Sequence, residues 1–115
     1  MSQDHPIDIS MAPDRVRVVW RGKTIADSRS ALELREHTYP PVIYIPRGDA
    51  DMKRFARSAL TTTCPYKGIA NYFSLVAEGG TEKDAVWTYE APISAVAEIK
   101  DHLAFYPDKV EILRG

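Results

Sequence analysis

The sequence has few of the residues that build disulfides and metal sites. Cys64 is the only cysteine among 115 residues, which excludes an internal disulfide. No Cys-x-x-Cys or His-x-x-x-His pattern is present, so a structural zinc ion lacks most of its ligands. We therefore expect neither a metal site nor a cofactor.

Long apolar runs and excess charge of one sign are also missing. No apolar run approaches the roughly 20 residues that a membrane-spanning helix needs, and "MSQDHPIDIS" at the N-terminus lacks the apolar core of a signal peptide. The formal net charge is −1, so no net positive field attracts nucleic acid or an anionic membrane. We expect a cytoplasmic protein that binds neither nucleic acid nor membrane.

Short runs of β-branched and aromatic residues, separated by eight prolines and six glycines, indicate β structure. "RVRVVW" alternates, with Val16, Val18 and Trp20 on one face, and "RGK" turns it back into "TIAD" as a hairpin. Further strands are predicted at "PPVIYIP", "IANYFSLVAE" and "AVWTYEA". "LAFY" and "VEIL" are predicted to form a last hairpin around "PDK".

Three segments favour short helices. In "SRSALELRE", Ser30 followed by Glu33 fits a capping box, and "GDADMKRFARSAL" has helical spacing with Asp49 or Asp51 available as N-cap. "PISAVAEIKDH" is the third segment. The order of elements predicts an α+β fold, mostly β, with antiparallel sheets and one to three short helices. With 44% hydrophobic residues, residues 1–115 make a single domain, in which residues 1–13 are an N-terminal extension or a first strand.

Six segments occur in a fixed order along the chain: "HPIDIS", "RVRVVWRGKTIADS", "YPPVIYIPRGD", "TTTCPYKG", "AVWTYEAP" and "HLAFYPDKVEI". Together they resemble the family called domain of unknown function 427, sometimes labelled nucleotidyltransferase-like, over about residues 5–113. The resemblance implies a small domain of coiled β-sheets, similar to the beta-tent group, and no established activity. Zinc-binding members of that group use paired cysteines, which this chain lacks.

Nucleotidyl transfer usually needs carboxylates that hold Mg²⁺ against a triphosphate in a backbone cradle. The sequence has no such cradle, and Asp49-Ala50-Asp51 is its single Asp-x-Asp. The alternative is that one of these aspartates caps the helix that follows. The family's pattern at this point resembles Pro-Arg-x-Asp, which Pro46, Arg47 and Asp49 match. Asp51 is not part of that pattern.

Cys64 is a candidate nucleophile. A turn over Cys-Pro-Tyr-Lys brings Lys67 near Cys64, and a nearby ammonium favours the reactive thiolate. The base has to come from elsewhere in the chain, from His102 or from His5 or His37. The alternative is that Cys64 ends a strand and packs as a small buried hydrophobe.

Arg47 and Lys67 also suggest a binding pocket, because each places a cation beside aromatic residues. Together with Tyr66, Tyr89 and Trp87, they can hold an anionic or planar small molecule. The alternatives are that Lys67 is a surface residue, that Arg47 pairs with Asp49 or Asp51, and that the two strand aromatics build the core.

Three functions follow from these residues. The favoured one is a domain that binds a small, anionic or nucleotide-like molecule in a partly cationic, aromatic pocket. The second is a small enzyme with Cys64 as nucleophile, Lys67 as its activator and His102 as base, or with the nucleotidyltransferase-like activity of the family label. The third is an interaction domain that forms a homodimer through an edge strand.

Overall fold

The computed structural model describes residues 6–115, and most of these residues lie in antiparallel strands. Residues 1–5 lie outside the described residues, so the prediction for residues 1–13 is tested only from residue 6, and residues 7–11 form the first strand. The ten strands within this range are β1 (Ile7–Met11), β2 (Val16–Trp20), β3 (Lys23–Ser28), β4 (Leu32–Glu36), β5 (Val42–Pro46), β6 (Phe55–Cys64), β7 (Gly68–Ala77), β8 (Gly80–Tyr89), β9 (His102–Phe105) and β10 (Glu111–Arg114).

The first predicted hairpin is confirmed. Val16, Val18 and Trp20 all point into the core from β2, as their alternation predicts. Arg21 and Gly22 connect β2 to β3 with positive φ angles of 53° and 77°, the backbone that a tight two-residue hairpin turn requires. β10 joins the other side of β2 to make a three-stranded sheet, in the order β10-β2-β3.

The remaining strands form one seven-stranded sheet in the order β1-β4-β5-β9-β8-β7-β6, with every neighbouring pair antiparallel. The three-stranded sheet packs on one face of it, and the main apolar core lies between the two sheets. Alternate residues on the same strands point to the opposite face, where they form a second core. Residues of the main core include Val16, Val18, Trp20, Ile25, Ile45, Phe73, Leu75, Val86, Leu103 and Phe105. Those of the second core include Leu34, Tyr44, Ala70, Tyr72, Tyr89, Val96, Ile99 and Ala104.

Two predictions are wrong: the last hairpin and the first helix. "LAFY" and "VEIL" do not pair with each other, because β9 inserts between β5 and β8 while β10 pairs with β2. "SRSALELRE" forms strand β4 in place of a helix with a Ser30–Glu33 capping box. Leu32 and Leu34 alternate into the second core, and pairing with strands on both sides outweighs the local helical preference.

No α-helix forms within residues 6–115; the helical residues there belong to three short 3-10 segments, Arg47–Asp49, Met52–Arg54 and Ser94–Ile99. The helix predicted across "GDADMKRFARSAL" is reduced to the single 3-10 turn Met52–Arg54, because β6 begins at Phe55 and pairs with β7. Asp51 occupies the N-cap position of this turn but its side chain makes no capping hydrogen bond, and Asp49 accepts a hydrogen bond of 2.7 Å from the Ser28 hydroxyl. The third predicted helix is reduced to the segment at Ser94–Ile99.

No helix in the described part of the chain is long and apolar enough to cross a membrane.

The β6–β7 turn ends at Gly68, which provides a test of the local packing. Gly68 has a φ of +114°, and a Cβ built on it meets the carbonyl oxygen of Ala91 at 3.4 Å. We expect Gly68→Ala to lower the free energy of unfolding by about 1–3 kcal/mol, since both backbone strain and crowding oppose the methyl group. Urea denaturation measures the change. Gly48→Ala is the matched control, because Gly48 has open space around it; equal losses in the two variants contradict this explanation.

Candidate functional site

The segment Cys64-Pro65-Tyr66-Lys67 forms the predicted turn and connects β6 and β7, two of the three ten-residue strands. The Lys67 amide donates a hydrogen bond of 3.2 Å to the Cys64 carbonyl, which closes the turn. The Lys67 carbonyl in turn accepts a hydrogen bond of 3.0 Å from the Ile93 amide. Because the backbone of Lys67 is bonded on both sides, the direction of its side chain is well defined.

The Lys67 side chain points into the protein and ends at Glu36. Its Nζ atom lies 2.6 Å from Glu36 Oε1, and the two side chains are only 9% and 16% exposed. The alternative that Lys67 is a surface residue is therefore wrong. A nearly buried cation needs a partner of opposite charge, and the carboxylate at the end of β4 supplies it.

The Lys67–Glu36 ion pair also requires the large sheet to curve. Four strand steps separate β4 from β7 in the order β4-β5-β9-β8-β7. At about 4.8 Å per step, a flat sheet puts these strands roughly 19 Å apart, more than the two side chains can bridge. The sheet therefore coils so that its two halves approach each other, with the second core inside the curve. Coiled antiparallel sheets agree with the expectation from the resemblance, while the likeness to the beta-tent group stays a prediction.

Three buried tyrosines, Tyr44, Tyr72 and Tyr89, lie inside the curve, and we call them the tyrosine cluster. Tyr44 Oη accepts a hydrogen bond of 3.3 Å from the indole nitrogen of Trp87, and Tyr72 Oη shares one of 3.0 Å with Thr62. Burial raises the pKa of Tyr44 to about 12 and also raises the pKa of Tyr89. The hydroxyls of Tyr44 and Tyr89 therefore stay protonated at neutral pH.

Trp87 joins the tyrosine cluster to a cavity. Its ring lies 4.7 Å from Tyr106 between centroids and meets Tyr44 edge to face at 6.4 Å. Beyond these contacts, Trp87 forms part of the wall of a cavity of about 450 Å³. Trp87 and Tyr89 share one face of β8, so Trp87 has both a core contact and an open side. The other residues that line this cavity are Glu36, Tyr39, Pro40, Pro41, Val42, Ile43, Phe105, Pro107 and Ile112.

Cys64 is the last residue of β6 and is half-buried at the margin of the second core. Electrostatic interactions join its thiol to Tyr44 and Tyr89. The candidate base His102 lies on β9, three strand steps from β6, which is about 14 Å along the sheet. Its Nδ1 atom lies 2.9 Å from the Lys100 carbonyl. The structure thus places Cys64 near the tyrosine cluster and does not bring His102 to it.

The other candidate bases also differ in position. The His37 ring meets Tyr39 edge to face at 6.2 Å between centroids. His5 lies outside the described residues. Tyr66 is 44% exposed at the tip of the turn, so it lies near Lys67 along the chain but outside the buried pair.

Arg47 lies on the other face of the sheet from Lys67. Its guanidinium donates to Thr88 at 3.2 Å and to Glu90 at 3.3 Å, and it lies over the ring of Phe73 at 5.5 Å. Thr88 and Tyr89 are successive residues of β8, so they point to opposite faces. The two predicted cations are therefore not brought together. The predicted pairing of Arg47 with Asp49 or Asp51 is replaced by Glu90 and, at 3.9 Å, Asp101.

Arg57 completes this second charged group. It binds Glu90 with two hydrogen bonds of 2.9 and 2.8 Å, and its guanidinium also lies over Phe73, at 5.9 Å. The hydrogen bonds from Arg57, with a further contribution from Arg47, lower the pKa of Glu90 from 4.5 to about 2. The ends of three strands, β5, β6 and β8, are joined by this arginine–glutamate cluster.

The Asp-x-Asp motif has partners of its own. Asp49 binds Ser28, and Asp51 lies 3.7 Å from the Arg54 guanidinium. Among residues 6–115, no three His, Cys, Asp or Glu side chains are grouped in a way that could hold a metal ion. The expectation of no metal and no cofactor stays a prediction.

Glu36, Tyr72 and Glu90 are important residues of these sites that the sequence interpretation did not select. Glu36 is the last residue of the first predicted helix, which is strand β4 in the structure, so the direction of its side chain could not be predicted. Tyr72 lies in a strand that was predicted, where alternation with Phe73 indicates its face. Glu90 directly follows β8 and has no local signal for its arginine partners, which are 43 and 33 residues away.

A comparison with protein families identifies the family to which the chain belongs. The model of the family described as Domain of unknown function (DUF427) matches residues 8–114, nearly the whole chain, and confirms the resemblance found in the sequence. No protein with a curated description matches the chain.

Removal of one partner of the Lys67–Glu36 ion pair tests its contribution. Lys67→Met removes the ammonium group that lies 2.6 Å from the nearly buried Glu36 carboxylate, so we expect a loss of about 2–4 kcal/mol in the free energy of unfolding. The double variant Lys67→Met, Glu36→Leu removes both charges and should recover much of that loss. Lys109→Met is the control, since its ion pair with Glu82 is longer, 3.8 Å, and more exposed. If the loss of unfolding free energy in the double variant equals the sum of the losses from the two single substitutions, the two charges do not compensate each other and the prediction is contradicted.

The Glu90 cluster gives a pH-dependent prediction. Because the pKa of Glu90 is lowered in the folded state, its contribution to stability is complete above about pH 4.5 and is lost as pH falls toward 2. We expect the free energy of unfolding of the wild-type protein to be about 1–2 kcal/mol higher than that of Glu90→Gln at pH 7, and this difference to shrink below pH 4.5. Urea denaturation from pH 7 to pH 3 measures it, with exposed Glu78→Gln as control. A stability difference between wild type and Glu90→Gln that does not change with pH excludes the lowered pKa of Glu90 as its cause.

Proposed function

We propose that this chain, a member of the family described as Domain of unknown function (DUF427), binds a small, planar, largely apolar molecule beside Trp87. The supporting observation is the cavity of about 450 Å³ in whose wall Trp87 lies. Its volume falls within the roughly 300–1,000 Å³ typical of small-molecule sites. Its wall combines residues of the seven-stranded sheet with Ile112 of β10 in the three-stranded sheet, so it lies where the two sheets meet.

The side chains around the cavity favour an apolar ligand. Proline, valine, isoleucine and phenylalanine side chains supply most of its wall, and the ring of Trp87 offers a surface on which a planar molecule can stack. Glu36 is the one carboxylate in the wall, and its Oε1 atom already binds Lys67. A polar group of the ligand therefore meets an ion pair whose charges compensate each other.

The sequence pattern suggests that Arg47 and Lys67 bind a phosphorylated or nucleotide-like ligand. The positions of these cations in the structure support such a ligand less well. Lys67 is paired with Glu36, and Arg47 is paired with Glu90 on the opposite face. An anionic ligand has to displace a carboxylate to reach either cation, which costs the free energy of the existing ion pair. We accordingly assign the site to uncharged or weakly polar planar molecules. A cytoplasmic location, and the absence of nucleic-acid and membrane partners, stay predictions from the sequence.

The two tryptophans provide an internal comparison for a binding experiment. Trp20 is buried in the main core, whereas Trp87 lines the cavity. In NMR spectra of ¹⁵N-labelled protein, we expect 2-naphthol to shift the indole N–H resonance of Trp87 progressively and to leave that of Trp20 unchanged. Trp87→Phe assigns the two resonances.

Two matched comparisons make the experiment selective. We expect 2-naphthyl phosphate to bind at least about tenfold more weakly than 2-naphthol, because its charge finds no unpaired cation. Val42→Phe fills part of the cavity and should abolish the Trp87 shift while the protein stays folded. Equal shifts of both tryptophans, or binding that is unaffected by Val42→Phe, places the ligand elsewhere and contradicts the proposed site.

A further inference from the structure

We propose that the outer edge of β6 pairs with the same strand of a second copy of this chain. β6 is the last strand of the seven-stranded sheet and is bonded to β7 on one side, and no other strand within residues 6–115 pairs with its outer side. Residues 59–63 are exposed there. The unpaired N–H and C=O groups of such an edge are a template for another strand.

Charge distinguishes β6 from the other three outer strands. Residues 58–64, "SALTTTC", contain no charged side chain. Charged side chains on an outer strand oppose pairing with another chain, and β6 lacks this protection over seven residues. The outer strands β1, β3 and β10 all carry charges, which are Asp8 on β1, Lys23 and Asp27 on β3, and Glu111 and Arg114 on β10.

The backbone geometry limits the pairing to the C-terminal part of β6. The register with β7 is irregular between Arg57 and Thr61, so residues 58–60 bulge. Regular pairing resumes at Thr61 and continues to Cys64. We therefore assign the contact to residues 61–63, which lie within this regular stretch and beyond the bulge.

A second copy fits this edge better than an unrelated peptide does. Antiparallel pairing of two identical strands about Thr62 places threonine opposite threonine and no charge opposite a like charge, which is a favourable arrangement. Peptide-binding edges obtain specificity from pockets for alternate side chains, whereas the cavity described above is lined by residues outside β6. Leu60 and Ile69, which are 40% and 57% exposed, lie beside the edge and add apolar area.

The short contact implies a weak dimer. Three residues of strand pairing from each copy bury less surface than a stable interface needs, so we expect a dissociation constant on the order of 100 µM. Sedimentation equilibrium of the full chain from about 10 µM to 1 mM should show an average mass that rises from 12.9 kDa toward twice that value. A constant mass of one chain up to 1 mM overturns the proposal.

Lysine substitutions on the edge test its location. Thr61→Lys with Thr63→Lys adds two charges to each copy, and we expect at least a tenfold weaker association. Thr24→Lys is the matched control, because Thr24 is exposed on the outer strand β3 of the other sheet. Unchanged association in the Thr61, Thr63 variant, or an equal loss in the Thr24 control, excludes β6 as the interface.

Hydrogen exchange of the wild-type chain provides a test that does not depend on how a variant folds. We expect exchange of the backbone amides of residues 61–63 to slow several-fold between about 10 µM and 1 mM protein, with β1, β3 and β10 unchanged. Slowing confined to another strand overturns the assignment to β6 and identifies the true interface.

Discussion

The ion pair between Lys67 and Glu36 is the constraint on which the shape of the domain depends. Its two residues lie four strand steps apart in the large sheet, yet their charged atoms are 2.6 Å apart. A flat sheet cannot satisfy that distance, so the sheet coils. The desolvation of two charges is costly, and a coil that loses the contact leaves both of them poorly solvated. The pair therefore disfavours open arrangements of the sheet. The apolar contacts alone distinguish less sharply between coiled and open arrangements.

Coiling separates the chemistry of the two faces. On the inner side, Tyr44 and Tyr89 interact electrostatically with Glu36, and Trp87 connects Tyr44 to the cavity. On the other side, Arg47 and Arg57 share Glu90 above Phe73 and hold together the ends of three strands. The sequence suggests that its cations act together, but the alternation of successive strand residues divides them. The binding site that we propose lies beside Trp87, and the arginine–glutamate cluster lies apart from it.

The features that sequence reasoning predicted depend on local patterns. Alternation identified β2, and the Pro and Gly residues around Lys67 identified the turn at its correct position. The failures involve partners distant in sequence. β4 has an equally good local pattern for a helix, and its pairing with β1 and β5 decided otherwise. Likewise, nothing near Lys67 indicates that its partner is Glu36, 31 residues earlier. The direction of Lys67, and with it the character of the site, followed from the tertiary fold.

Hydrogen exchange of Lys67→Met tests most directly whether the ion pair holds the coil. If it does, the amides of β1 and β4, which lie at the far end of the coiled sheet, should lose protection first and by the largest factor. The amides of β2, in the middle of the three-stranded sheet, should change least. Uniform loss of protection across both sheets, or no loss in β4, contradicts the role of Lys67 and Glu36 as the contact that closes the sheet.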